Sequence, residues 1–237
     1  MSLKTPAFLG AALSAAALSA AALGAAFAAT PAAAQSDGPG WVEAPTVADI
    51  VAAYPAKARA ANLGGSVMLT CAIARNLHPK DCAAVTEKPG LYGFAPAALK
   101  LAEKLKLGSS AIVGQNIFIP VTFDPAVLSG NATVTKPAWV ETPGLADYQA
   151  TFPKTPNGVN DVRVVLGCTV GASGFLSACA VAQETPEGQG YGNGALALAE
   201  KFRLSPWSTD GQPTIGAKIR LPIHYVLTPV KPAQAGE

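Results

Sequence analysis

Four cysteines are the residues whose type and spacing point most directly to covalent chemistry. They fall into two pairs, Cys71 with Cys82 and Cys168 with Cys179, and each pair encloses ten residues. This equal spacing predicts one disulfide within each pair. A zinc site would need short ligand pairs or histidine partners, and the chain has no CxxC motif and only two histidines. No basic residue lies symmetrically beside the pairs to activate a thiolate, so the cysteines are predicted to be structural.

Other candidate chemical groups lack partners at matching positions. Glu87 and Glu184 recur near a loop, but no second residue recurs with them for acid–base work, so no enzyme activity and no catalytic residue is predicted. The glycines between Gly188 and Gly194 suggest a phosphate loop, yet most equivalent positions earlier in the chain are not glycine. A flexible loop is therefore predicted, and we expect no cofactor and no metal. His224 is predicted to be solvated on the outward face of a strand.

The composition argues against nucleic acid as a partner. The chain has 237 residues, is half apolar, and carries 17 Lys and Arg against 15 Asp and Glu. These charges are scattered, without a basic stripe or an acidic tail. A nearly neutral surface of this kind offers no electrostatic footprint for phosphates.

The N-terminus has the outline of a signal peptide. Lys4 precedes an apolar run from Ala7 to Ala29, and the small residues Ala32 and Ala34 fit a signal peptidase site. We predict a cleaved signal over residues 1–34 and export to the periplasm, where disulfides form. The uncharged run is also long enough to span a bilayer. An uncleaved inner-membrane anchor facing the periplasm is thus the alternative, and only then would the chain contact a membrane.

An internal repeat organises the rest of the chain. The segments 71–107 and 168–204 align without a gap and share 13 of 37 residues. The repeat predicts two domains, copy 1 over residues 41–124 and copy 2 over residues 139–228, with a linker at 125–138 and a flexible tail at 229–237. Copy 2 has five extra residues before its last strand, within Ser205–Gln212.

Residue patterns predict the same order of elements in each copy. The apolar residues of Val47–Tyr54 have helical spacing, and Thr46 and Asp49 have the spacing of a capping box at its start. Alternating residues around each cysteine pair predict a stapled hairpin, and the run around Leu101 predicts a second helix. A third strand follows, with Pro120 or Pro222 inside it. Because proline has no N–H to donate, this strand is predicted at a sheet edge. The predicted fold class is α+β: helix-β-β-α-β, with a three-stranded antiparallel sheet covered by a helix on one face.

Copy 2 carries a combination of motifs that resembles a known family. Its run from Ala195 to Pro206, the Asp210–Pro213 stretch and the final strand Ile219–Tyr225 resemble the C-terminal domain of TonB-family proteins. Copy 1 lacks the Asp-Gly-x-Pro stretch and matches less fully. The resemblance implies a small ββα-β domain that docks periplasmic partners, best known for binding the TonB box of outer-membrane transporters by strand addition. The uncleaved anchor and long Pro-rich spacer of energy-transducing members are not evident in this sequence.

These observations predict a periplasmic protein that binds an extended peptide or protein partner, with an outer-membrane transporter as one candidate. The predicted binding surface is the outer edge of the third strand in each copy. The alternative is a periplasmic structural or assembly protein whose tandem copies self-associate, without peptide binding or energy transduction. The candidate edge residues are Ile117, Ile119, Val121 and Phe123 in copy 1 and Ile219, Arg220, Leu221, Ile223 and Tyr225 in copy 2.

Overall fold

The computed structural model of the protein describes residues 40–152 and 161–226. The predicted signal peptide (1–34) and tail (229–237) lie outside these ranges. Within them the protein is α+β, with several antiparallel sheets and few helices, which confirms the predicted fold class. Each copy builds its own main sheet, and buried apolar side chains of both copies form one continuous cluster. The domain boundaries stay sequence predictions.

The first helix of copy 1, which follows a short strand, begins with a capping box. Thr46 and Asp49 bond each other's backbone N–H groups through their side chains, as their spacing predicted. The elements of copy 1, in chain order, are β1 (Trp41–Glu43), α1 (Val47–Ala53), α2 (Ala56–Ala60), β2 (Gly65–Ile73), β3 (Pro79–Lys88), α3 (Phe94–Ala102), β4 (Lys106–Leu107) and β5 (Asn116–Phe123).

Copy 2 repeats this order without a counterpart of α2 among its described residues. A 3-10 helix (Pro125–Ser129) joins the two copies. The remaining elements are β6 (Thr133–Val134), β7 (Trp139–Glu141), α4 (Leu145–Thr151), β8 (Asp161–Val170), β9 (Leu176–Thr185), α5 (Tyr191–Ala199), β10 (Arg203–Leu204) and β11 (Lys218–Val226).

The two main sheets share one topology. Copy 1 has the order β3-β2-β5 and copy 2 has the order β6-β11-β8-β9, with the hairpin strand in the same place in each. Side chains alternate along each strand, so every second residue of β2, β5, β8 and β11 is buried. Helices α3 and α5 pack on this inner face, and no described element covers the other face. Each sheet therefore has one packed face and one face toward solvent.

The segment predicted as a linker is partly ordered. Residues 125–138 contain the 3-10 helix and strand β6, and β6 pairs in parallel with the start of β11. The sheet of copy 2 consequently has four strands where three were predicted. The predicted flexible glycine loop also differs: α5 begins at Tyr191, so Gly192 and Gly194 are buried in its first turn. Gly192 is needed there because a Cβ atom would lie 2.8 Å from the Val181 side chain.

Both predicted disulfides are confirmed. Cys71 bonds Cys82 and Cys168 bonds Cys179, and each bond joins the two strands of a hairpin. Such bonds persist in oxidising compartments, so they indicate an extracytoplasmic location. Among residues 40–152 and 161–226, no helix combines the length and hydrophobicity needed to cross a membrane.

Candidate partner-binding edge

The register of the sheets decides which backbone groups of the last strand face outward. In copy 1 the N–H of Thr122 donates to the Gly211 carbonyl oxygen, 2.8 Å away and outside the sheet. In copy 2 the N–H of Lys218 donates to the Ala132 carbonyl oxygen of the preceding segment, also at 2.8 Å. Because N–H and C=O groups alternate in direction along a strand, the even-numbered residues of β5 and β11 face the outer edge.

This parity shows where the predicted edge residues lie in the two strands. The predicted side chains other than Arg220 belong to the core face, and their backbone groups point toward the neighbouring strand β2 or β8. Arg220 alone is exposed and turns its backbone to the outer edge, and Ile117 is half-buried. The buried members are Ile119, Val121, Phe123, Ile219, Leu221, Ile223 and Tyr225.

The edge of copy 1 is occupied by the extra segment of copy 2. Trp207 donates its indole N–H to the Pro120 carbonyl oxygen at 3.3 Å, and Gly211 accepts from Thr122. The Thr122 hydroxyl donates to the Asp210 carbonyl oxygen at 2.7 Å. The segment Trp207–Gly211 is named here the plug. Its Trp207 side chain is only 1 % exposed, so the plug is anchored by a buried residue as well as by hydrogen bonds.

Hydrogen bonds within the plug hold its shape. The Ser208 hydroxyl donates to Asp210 Oδ1 at 2.6 Å and accepts the Gln212 N–H at 2.8 Å. Gly211 has φ +82° and lies so close to strand β5 that an added Cβ atom would be 2.8 Å from the Val121 nitrogen. Only glycine satisfies both the backbone conformation and the close approach. The Asp-Gly-x-Pro stretch thus builds a contact between the copies.

Among residues 40–152 and 161–226, nothing pairs with most of the outer edge of copy 2, which is named here the open edge. Strand β6 pairs with Lys218 and Ile219, at the start of β11. Beyond it, no described strand pairs with the outer side of β11, which includes the Pro222 carbonyl and the His224 N–H. Pro222 and His224 correspond to Pro120 and Thr122, the two residues that the plug engages in copy 1. The proline of each strand lies at an outward-facing position. It therefore lacks an N–H donor at the sheet edge, while the hydrogen bonds to the neighbouring strand are unaffected.

Basic side chains flank the open edge on the solvent face of the sheet. Lys218, Arg220 and His224 project from β11 and Arg163 projects from β8, and all four are exposed. Asp161 lies 3.0 Å from His224 and 3.2 Å from Arg163. The hydrogen bonds from His224 and then Arg163 lower the pKa of Asp161. Arg220 has no ion pair or hydrogen bond with the described residues.

An aromatic cluster flanks the same edge on the inner face. The Tyr225 ring lies 5.9 Å from Tyr148 and 5.3 Å from Phe152, both of which belong to the α4 region. Burial raises the pKa of the Tyr225 phenol and that of Tyr148. Neutral hydroxyls are therefore maintained throughout the physiological range, and the inner side of the open edge is apolar.

The repeated glutamates have a structural use that the sequence reading missed. Glu87 accepts the N–H of Phe94 at 2.8 Å, and Glu184 accepts the N–H of Tyr191 at 3.0 Å. These are the first residues of α3 and α5, where backbone N–H groups lack partners within the helix. The sequence does carry a signal for this role, because each glutamate precedes the first residue of its helix by the same seven positions.

The described residues hold no group of three His, Cys, Asp or Glu side chains close enough to bind a metal ion.

No protein-family model matches the chain. Among curated proteins, the chain is similar to an uncharacterized protein of Caulobacter vibrioides, with 32% identity over 59 residues. Those residues are 25% of this chain and 59% of that protein, so the chain matches less than two thirds of its relative's length.

Proposed function

We propose that the protein is an exported, TonB-like partner-binding protein that takes up an extended peptide segment at the open edge of β11. The peptide would continue the sheet of copy 2 by hydrogen-bonding to the outward groups of Pro222, His224 and Val226. Edge strands bind peptides in this way because their unpaired N–H and C=O groups supply affinity independently of sequence.

The observation that carries this proposal is the difference between the two edges. In copy 1, the plug already engages the Pro120 carbonyl and the Thr122 N–H. In copy 2, the equivalent groups of Pro222 and His224 have no partner strand among the described residues. The chain therefore contains an example of an occupied edge beside an open one, and the occupied example supports a binding role for the open one.

The proposed setting is the periplasm. The two disulfides support an oxidising compartment, and residues 1–34 are proposed to be the cleaved signal that directs the chain there. The TonB-like motifs of copy 2 suggest the short box segment of an outer-membrane transporter as the partner. In this proposal copy 1 supports copy 2 and is not itself a second binding module.

Amide chemical shifts of the oxidised protein, followed during titration with TonB-box peptides, test the proposal. Binding at the open edge should shift the amides of His224 and Val226 and slow their exchange with solvent. The amide of Thr122 is the internal control, because the plug already occupies it.

Absence of shifts along residues 220–226 at high peptide concentration would exclude strand addition there. Shifts that depend on protein concentration without peptide would instead favour the alternative function, a structural or assembly protein that self-associates through this edge. Sedimentation analysis of the same samples separates the two outcomes by mass.

A further inference from the structure

We infer that the segment bound by β11 alternates apolar and acidic side chains, with its acidic residues on the solvent face of the sheet. This inference rests on the proposed strand addition and specifies the chemistry of the partner. It follows from the side chains that would neighbour an added strand on each face.

The inner face of the edge requires apolar neighbours. Ile219, Leu221, Ile223 and Tyr225 all point inward and are at most 6 % exposed. Side chains of an added strand alternate with the same period of two, so every second residue of the partner would lie beside this apolar row. Away from the Tyr225 hydroxyl, which is buried without a hydrogen-bond partner, a polar side chain there would lose its hydration without gaining such a partner.

The solvent face of the edge requires negative charge. Lys218 and Arg220 project from β11 on this face with His224, and Arg163 projects from the adjacent strand. Asp161 pairs with His224 and Arg163 and thus compensates part of this charge. Among the described residues, the Lys218 ammonium group hydrogen-bonds only to the neutral side-chain oxygen of Asn131, at 3.3 Å, and the Arg220 side chain pairs with no group. Two cations beside the edge therefore have no carboxylate partner among the described residues.

The comparison between copies shows that the basic side chains are not required by the fold. The residues that correspond to Lys218, Arg220, His224 and Arg163 in copy 1 are Asn116, Phe118, Thr122 and Ser66, and none of them is charged. Both sheets have the same strand order and register at these positions. The copy whose edge is filled by the plug lacks the charges, whereas the copy whose edge is open carries them. We therefore attribute the basic side chains to recognition of the segment that binds at the open edge.

Two synthetic peptides of about seven residues test the inference. Both have Val at alternate positions, and the positions between are Glu in one peptide and Lys in the other. The Glu peptide should bind about tenfold more tightly at low salt, because each cross-strand pair of opposite charges adds a modest increment. The advantage should shrink as salt screens these exposed charges.

Charge reversal at Arg220 provides the matched control. Arg220→Glu should reduce or invert the preference, whereas Arg75→Glu should leave it unchanged, since Arg75 is an exposed residue near the hairpin turn of copy 1. Equal binding of both peptides, with shifts at His224 and Val226, would overturn the inference and leave the strand addition intact. Binding of neither peptide would overturn the proposed function and the inference with it.

Discussion

Trp207 of copy 2 donates its indole N–H to the carbonyl oxygen of Pro120 in copy 1, across a distance of 3.3 Å. The two residues are 87 positions apart in the chain, and the bond closes an edge that would otherwise be open. Unpaired edges are sites of unwanted association, and covering them is a common protection in β proteins. The plug therefore protects the sheet edge of copy 1, whereas most of the outer edge of β11 is unpaired among the described residues.

Replacing Gly211 should release the plug. In Gly211→Ala, the new Cβ atom would both occupy a left-handed conformation and press against the backbone of Pro120 and Val121. We expect a loss of about 2 kcal/mol or more in the free energy of unfolding, measured by urea denaturation. Hydrogen exchange at the Thr122 amide should accelerate, because its acceptor moves away.

Gly216→Ala is the matched control for this change. Gly216 has φ +84°, nearly the same as Gly211, but no atom lies within 4 Å of its added Cβ. It should show the backbone strain of about 1 kcal/mol without the collision. Equal destabilisation by the two variants, with Thr122 protected in both, would contradict the role given to the plug.

Removing Glu184 should weaken the start of α5. Glu184→Ala leaves the N–H of Tyr191 without its acceptor, and the loss of such a cap costs about 1 kcal/mol of stability. Glu184→Gln should cost less, because an amide oxygen still accepts the bond. Thermal unfolding of the three proteins should show this order, while Glu187→Ala, at an exposed position nearby, should unfold like the parent. An unchanged midpoint in Glu184→Ala would exclude the capping role.

Asp49 should contribute to acid sensitivity. The hydrogen bond from Lys104, at 2.6 Å, is the main cause that lowers the pKa of Asp49 below its usual value of 3.8, and bonds from Thr46 lower it further. A carboxylate with a lowered pKa stabilises the fold above its unfolded pKa, and this stabilisation is lost as the pH falls through its folded pKa. The parent protein should therefore lose stability as the pH falls to 3.8 and below, through the lowered pKa of the folded state.

Denaturation curves across this range check the assignment. Asp49→Asn should be less stable than the parent at pH 7, and the difference should shrink as the pH falls below 3.8. Lys104→Gln should produce a smaller change of the same sign, because the Thr46 bonds to the carboxylate remain. Parallel curves for the parent and Asp49→Asn would show that this carboxylate does not contribute to the acid response.

The sequence by itself determined the features that depend on near neighbours. The spacing of Cys71 and Cys82 predicted the disulfide between them, because the two strands of a single hairpin bring these residues together. The alternation of apolar residues with other residues predicted the strands β2 and β11. The spacing of Thr46 and Asp49 predicted the N-terminal cap of α1. The capping role of Glu87 was not predicted, because its partner is a backbone N–H of a helix start that lies beside it only in the folded chain.

Only the tertiary structure decided which groups form the edge and which edge is open. The apolar residues Ile219 and Ile223 mark the strand in the sequence, yet the pairing with β8 turns their backbone groups inward and exposes those of Pro222 and His224. The contact of Trp207 with Pro120 depends on how two distant segments pack. No local pattern encodes it, since a packing contact is set by the arrangement of whole sheets and not by the spacing of residues along the chain.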